Sequence, residues 1–160
     1  MECVIGIDPG ISGAIACIGI NGEFISVHDM PTVPDGKSDK RRVAIFGLRS
    51  ILEDLNPKHI YIERVRGMNK GGTKQGASRS FNFGMSYGIV RAVAKLNNPM
   101  SYDIEVQSWK RYFKLWGKHK RDGLVLARKM YPEAELHLIK HQDRADALLI
   151  ARYGLVKIHG

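Results

Sequence analysis

An α/β fold is predicted: a five-stranded mixed sheet, three antiparallel strands followed by parallel ones, with helices on both faces. Two observations carry this. Apolar runs at Val4 to Ile7, Gly13 to Ile20 and Glu23 to Met30 are separated by Asp8-Pro9-Gly10 and Asn21-Gly22, and Asn-Gly between apolar runs is a strong hairpin signal. Beyond residue 38, helix-length segments alternate with short runs at His59 to Glu63 and Ile104 to Val106, the pattern that builds parallel neighbours.

Each further element follows from local signals. Pro31 to Ser38 reads as a loop, and Ser38 as the cap of a helix reaching Leu55, with Val43, Phe46, Leu48, Ile51, Leu52 and Leu55 inward. Asn56-Pro57 ends it. Ser78 to Asn97 reads as a helix in which Gly84 and Gly88 imply close packing and Phe81 and Phe83 belong to the core. From Ser108 a basic helix runs to a break at Gly117, with Trp109, Tyr112, Phe113 and Trp116 on one inward side. Lys118 to Met130 is a helix stopped by Pro132, residues 133–142 are a connector, and Asp143 to Val156 is a last helix.

No repeat or linker divides residues 1–160, which read as a single domain. Cys3 and Cys17 fall in apolar runs as buried thiols, with no disulfide framework or zinc set in prospect. No apolar stretch reaches about 18 residues and no basic leader opens the chain, so no membrane span is expected and a cytoplasmic location is.

The 25 Lys and Arg against 16 Asp and Glu leave a net charge of +9, a balance that favours polyanions. The excess is local. Arg64 to Arg79 holds five basic residues and Gln107 to Arg121 six, neither with an acid. Arg66, Lys70, Lys74, Arg79, Lys110, Lys114, Lys118, Lys120 and Arg121 are therefore candidate phosphate contacts, which position DNA without reading its sequence. His119 and His141 are expected to be ordinary solvated side chains.

Asp8 closes the first strand and Glu63 the fourth; as parallel neighbours these would bring both carboxylates to the sheet edge where open α/β sheets place ligands. Asp143 and Asp146, three apart, share a face at the start of the last helix. Four converging acids repel unless cations offset them, and an all-carboxylate set suits Mg²⁺, with Mn²⁺ able to replace it. Two such ions about 4 Å apart would activate a water and stabilise the leaving oxygen in phosphodiester hydrolysis.

Gly6-Ile7-Asp8-Pro9-Gly10 with Gly13-Ala14-Ile15-Ala16, then Ile62-Glu63, the Gly84 to Val93 segment, and His141-Gln142-Asp143-Arg144-Ala145-Asp146-Ala147-Leu148, in that order, resemble RuvC-type Holliday-junction resolvases of the ribonuclease H-like superfamily. The resemblance implies a homodimeric, Mg²⁺-dependent endonuclease that places paired symmetric nicks in four-way DNA junctions and leaves 5′-phosphate ends. It puts Asp8, Glu63, Asp143 and Asp146 on the metal-binding acids, and Lys114, Lys118 and Lys120 where the family meets junction DNA. The chain departs from the pattern after Glu63: Val65-Arg66-Gly67 stands where bacterial members carry a wedging aromatic, and Met68 to Gly76 is longer and richer in glycine, closer to a phage or mobile-element branch.

Three rival readings share parts of this pattern. A broader branched-DNA or flap endonuclease shares the chemistry. A non-catalytic junction-binding module would lack some of the acids. An actin-like ATPase would need a second Asp-Gly phosphate loop and a second domain, so no nucleotide cofactor is expected.

Overall fold

The computed structural model describes residues 2–36, 39–66 and 74–160, without the side chains of 74 and 75. The main strands are β1 (Cys3–Asp8), β2 (Ala14–Gly19), β3 (Phe24–Asp29), β6 (His59–Arg64) and β7 (Ser101–Glu105), in the order β3-β2-β1-β6-β7. β1, β2 and β3 pair antiparallel, whereas β6 runs parallel to both β1 and β7. The predicted mixed sheet is thus present. Between β2 and β3 the Gly22 N–H donates to the Gly19 carbonyl at 2.8 Å, and Gly22 adopts φ +92°, which explains the glycine.

Alternation along the strands sends side chains to two cores. Ile5, Ile7, Ile15, Cys17, Ile60 and Ile62 pack under α1 (Ile45–Leu55) and α2 (Lys74–Asn97). Val4, Ala16, Ile18, Tyr61 and Ile104 pack under α3 (Val106–Tyr112), α4 (Lys120–Met130) and α5 (Gln142–His159). Helices therefore cover both faces, and the free thiols of Cys3 and Cys17 are buried as expected. Among the described residues no helix is long and apolar enough to cross a membrane.

α5 lies directly on β1. Gly6 faces it, and a Cβ there would overlap the Ala147 carbonyl and the Ala151 backbone. Gly154 accepts the Tyr61 ring in the same manner. At its first turn α5 is pinned to the end of β3 by Arg144, whose Nε and Nη2 donate to Asp29 Oδ1 and Oδ2 at 2.7 and 2.9 Å. Seat and pin together fix where the acids on that turn fall.

Several expectations are corrected. The segment read as a loop contains β4 (Thr32–Pro34), which pairs with β5 (Arg41–Val43), and Arg41 Nε donates to Thr32 Oγ1 at 2.7 Å. This ribbon occupies the first part of the predicted helix, so α1 starts at Ile45 behind Ala44; the Ser38 cap lies outside the described residues. Phe46 is 82% exposed, whereas Val43, on β5, is buried. α2 begins at Lys74, four residues early, and among the described residues Gly84 and Gly88 pack against nothing: a Cβ on either meets no atom within 4 Å. Phe81 and Phe83 are exposed rather than core.

Of the four aromatics expected on one inward side, Trp109 is fully buried and Phe113 partly so, but Tyr112 and Trp116 are exposed. Tyr112, the last residue of α3, sets its ring edge-on to Phe113 and Tyr153, and for Trp116 the reason is backbone geometry. α3 stops at Tyr112, and positive φ at Lys114 (58°) and Gly117 (75°) turns the chain, so helical spacing does not extend to Trp116.

Gly6→Ala should push α5 off β1 and cost about 3 kcal/mol, an overpacking penalty against backbone that cannot yield. Urea denaturation reads this, and an unchanged midpoint would contradict the direct α5–β1 seat.

Candidate active site

Asp8 ends β1, and its neighbour Ile7 registers with Ile62 on the parallel strand β6, which places Asp8 and Glu63 at the same strand-exit edge. The turn after Asp8 is tight: the Gly13 N–H donates to the Gly10 carbonyl at 2.9 Å, and a side chain at Gly13 would strike the Asp8 carbonyl. Over this edge stands the first turn of α5, with Asp143 and, one turn on, Asp146.

The carboxyl groups feel one another. Burial, then the charges of Glu63, Asp143 and Asp146, push Asp8 up to about 8, against a backbone N–H bond from Gly10. Burial also pushes Asp146 up to about 6 and raises Glu63 and Asp143. The opposing influences are specific. Trp109 Nε1 donates to Glu63 Oε2 at 2.9 Å, Gln142 Nε2 donates to Asp146 Oδ1 at 2.9 Å, and the Ser12 side chain pulls Asp143 down. Lys110 acts on Glu63 and Asp146, and Lys120 on Asp143 and Asp146. α4 closes against this side through Gly123, where a Cβ would stand 3.3 Å from Gln142 Nε2 and 3.4 Å from Asp146 Oδ1.

Among the described residues, no group of three or more His, Cys, Asp or Glu stands ready to hold a metal ion. The four acids share a field but are not drawn into a coordination set. Their chemistry nonetheless fits a hard cation: the donors are all carboxylate oxygens, and the buried Asp8 charge is left under-compensated.

The candidate phosphate contacts divide. Lys110 and Lys120 act on the acids, and Lys114, Lys118 and Arg121 are exposed on the α3–α4 side. Arg66 is exposed and bonded to Glu105 at 2.7 Å, and it lines a cavity of about 570 Å³ with Arg79, Gly10, Ser12 and Phe83. Lys70 lies outside the described residues; Lys74 opens α2, its side chain likewise undescribed. A second cavity, of about 550 Å³, runs from Glu63 past Phe83 to Arg111 and Trp116. His119 caps α4, its Nδ1 accepting from the Arg121 N–H at 3.2 Å, whereas His141 is buried, contrary to the expectation of a solvated ring.

Sequence reasoning missed Ser12, Gln142 and Trp109 as partners of the acids. Gln142 had a signal, its i,i+4 spacing to Asp146. Trp109 had none, since its contact to Glu63 spans 46 residues.

The five-stranded mixed sheet with helices on both faces is the RuvC-type, ribonuclease H-like fold. Thermus thermophilus RuvC in complex with Holliday junction substrate superposes with a TM-score of 0.70 at 17% identity, covering 100% of this chain and 97% of that one. A second Thermus thermophilus RuvC structure gives 0.60 at 18%, covering 99% and 97%. Neither a known family model nor a curated protein matches the chain.

The raised carboxyls have a consequence for stability. The folded state keeps the Asp8 proton up to about pH 8, whereas the unfolded chain loses it near its ordinary value of 3.8, so this group's contribution is full below about 4 and is lost as pH rises to 8. In EDTA at pH 8.5, Asp8→Asn should raise Tm by about 5 °C, at roughly 2–4 °C per kcal/mol, and the gain should vanish near pH 4. A variant melting below the wild type at pH 8.5 would contradict the buried, crowded setting of Asp8.

Proposed function

We propose that the chain is a divalent-metal-dependent endonuclease that resolves four-way DNA junctions by phosphodiester hydrolysis. One observation carries the reading: carboxyl groups from three distant stretches of chain meet at one sheet edge closely enough to raise one another's pKa, and that edge is flanked by Lys110 and Lys120. Asp8, Glu63, Asp143 and Asp146 would hold two Mg²⁺ ions, or Mn²⁺, with Asp8, Asp143 and Asp146 closing inward towards Glu63 from the arrangement described above. When bound, such ions supply an activated water and charge stabilisation at the leaving oxygen.

The protein's own groups have separable roles. Lys110 and Lys120 limit repulsion among the acids before substrate arrives, and they offer cations to the phosphate beside the cut. Arg79, Lys114, Lys118 and Arg121, with Arg66 released from Glu105, would take flanking phosphates; Lys70 and Lys74 belong to the same basic stretch. Hydrolysis breaks the P–O3′ bond, leaving a 5′-phosphate and a 3′-hydroxyl. Structural likeness to a RuvC solved with Holliday junction substrate supports junction DNA as the ligand.

Paired nicks call for two sites related by a two-fold axis. α2 presents a face suited to a second copy: Phe81 is 70% and Leu96 88% exposed, Met85 is exposed, and Gly84 and Gly88 have open space above them. Bare glycines that face nothing among the described residues would let another helix approach closely. Gly88→Leu separates the alternatives. In an isolated chain it should stabilise α2 by about 0.5–1 kcal/mol, whereas in a dimer packed on that face it should convert the protein to monomer. Light scattering that stays dimeric would rule this face out.

Asp8→Asn and Glu63→Gln should each reduce junction cleavage in Mg²⁺ by at least about 10³-fold, while binding in Ca²⁺ persists and weakens steeply with salt. Normal cleavage by either variant, in a gel assay that also offers flap, three-way and linear DNA, would overturn the assignment.

A further inference from the structure

The polar partner of Glu63 is a tryptophan that the core could have done without. Trp109 is fully buried, and bulk alone would be met there by phenylalanine or leucine. An indole adds an N–H that must find an acceptor once buried, and Nε1 finds Glu63 Oε2 at 2.9 Å. The same ring faces a cation: Lys110 Nζ lies 5.1 Å from its centroid, and Lys110 is one of the two lysines acting on the acids. One rigid side chain thus grips an acid by its edge and a lysine by its face.

The grip has a structural origin. Trp109 sits on α3, which follows β7 directly, and β7 is the parallel neighbour of β6, in register Glu63 with Ile104. Glu63 is the penultimate residue of β6, and a glutamate side chain has several rotamers open to it. The indole uses one carboxylate oxygen and leaves Oε1 as a ligand for an ion.

We infer that Trp109 is the positioning residue of this site, holding Glu63 in its ion-ligating orientation through the indole N–H and stationing Lys110 beside it through the ring face. This rests on the nuclease reading above. It concerns a group that would touch neither ion nor DNA, and its effect belongs to the orientation of a ligand, where losing an outer partner lowers metal affinity by about 10–100-fold.

The test uses the full chain. Trp109→Phe keeps an aromatic face and removes the donor; it should weaken Mn²⁺ binding to the DNA-free protein about 10-fold by calorimetry and raise the Mg²⁺ needed for half-maximal cleavage similarly, with junction affinity in Ca²⁺ unchanged. Should this variant fold poorly, benzothienylalanine at 109, with sulfur in place of the N–H, keeps the ring outline and is expected to give the same loss. Trp116→Phe leaves Trp109 as the sole indole, and its emission should respond saturably to Mg²⁺, a response that Glu63→Ala abolishes. Unchanged Mn²⁺ affinity in the sulfur analogue, beside a wild type that binds Mn²⁺ and cuts junctions, would overturn the role of Trp109 and leave the nuclease reading standing. A wild type that neither binds the ion nor cuts would bring down both.

Discussion

The seat of α5 on β1 is the constraint on which the site depends. Because Gly6 presents no side chain, the helix backbone at Ala147 and Ala151 rests against the strand, with Arg144 bonded to Asp29 at its first turn. The acids at positions 143 and 146 are thereby held over the exit of β1, where Asp8 stands. Remove either contact and carboxyl groups more than 130 residues apart in the chain lose their reason to meet. Glu63 joins through the parallel pairing of β6 with β1.

Convergence of this kind opposes folding unless something offsets it, since each acid is shielded from water and three of them face the fourth. The chain answers in part with its own donors: an indole to Glu63, an amide to Asp146, and two lysines at the margin. Asp8 receives least and is the most displaced, at about 8. A site that is electrostatically unfinished in the bare protein is suited to divalent cations, and the proposed chemistry gives that unfinished state a purpose.

Much of this was legible in the amino-acid order, because strands and parallel pairing leave strong local marks. The Asn-Gly hairpin, the two acids closing apolar runs and the spacing of Asp143 and Asp146 all rest on short-range chemistry. Failures arose where tertiary context intervened. The ribbon of β4 and β5 consists of three-residue strands, too short for any periodicity, and it displaced the start of α1. Gly84 and Gly88 were marked for close packing, yet among the described residues nothing lies within 4 Å of a Cβ on either. Trp116 was misplaced because α3 ends at Tyr112 and a left-handed residue at Lys114 turns the chain away from the spacing that the expectation assumed. Trp109 looked like one more core aromatic, since a hydrogen bond across 46 residues leaves no trace in spacing.

Crystals of the protein grown with Mn²⁺ and measured at the manganese absorption edge provide the most direct trial of the proposed centre. Anomalous density should appear about 2.1 Å from oxygens of Asp8 and Glu63, with Asp146 or Asp143 completing the set. Density elsewhere, or none at this edge of the sheet at saturating metal, would contradict it.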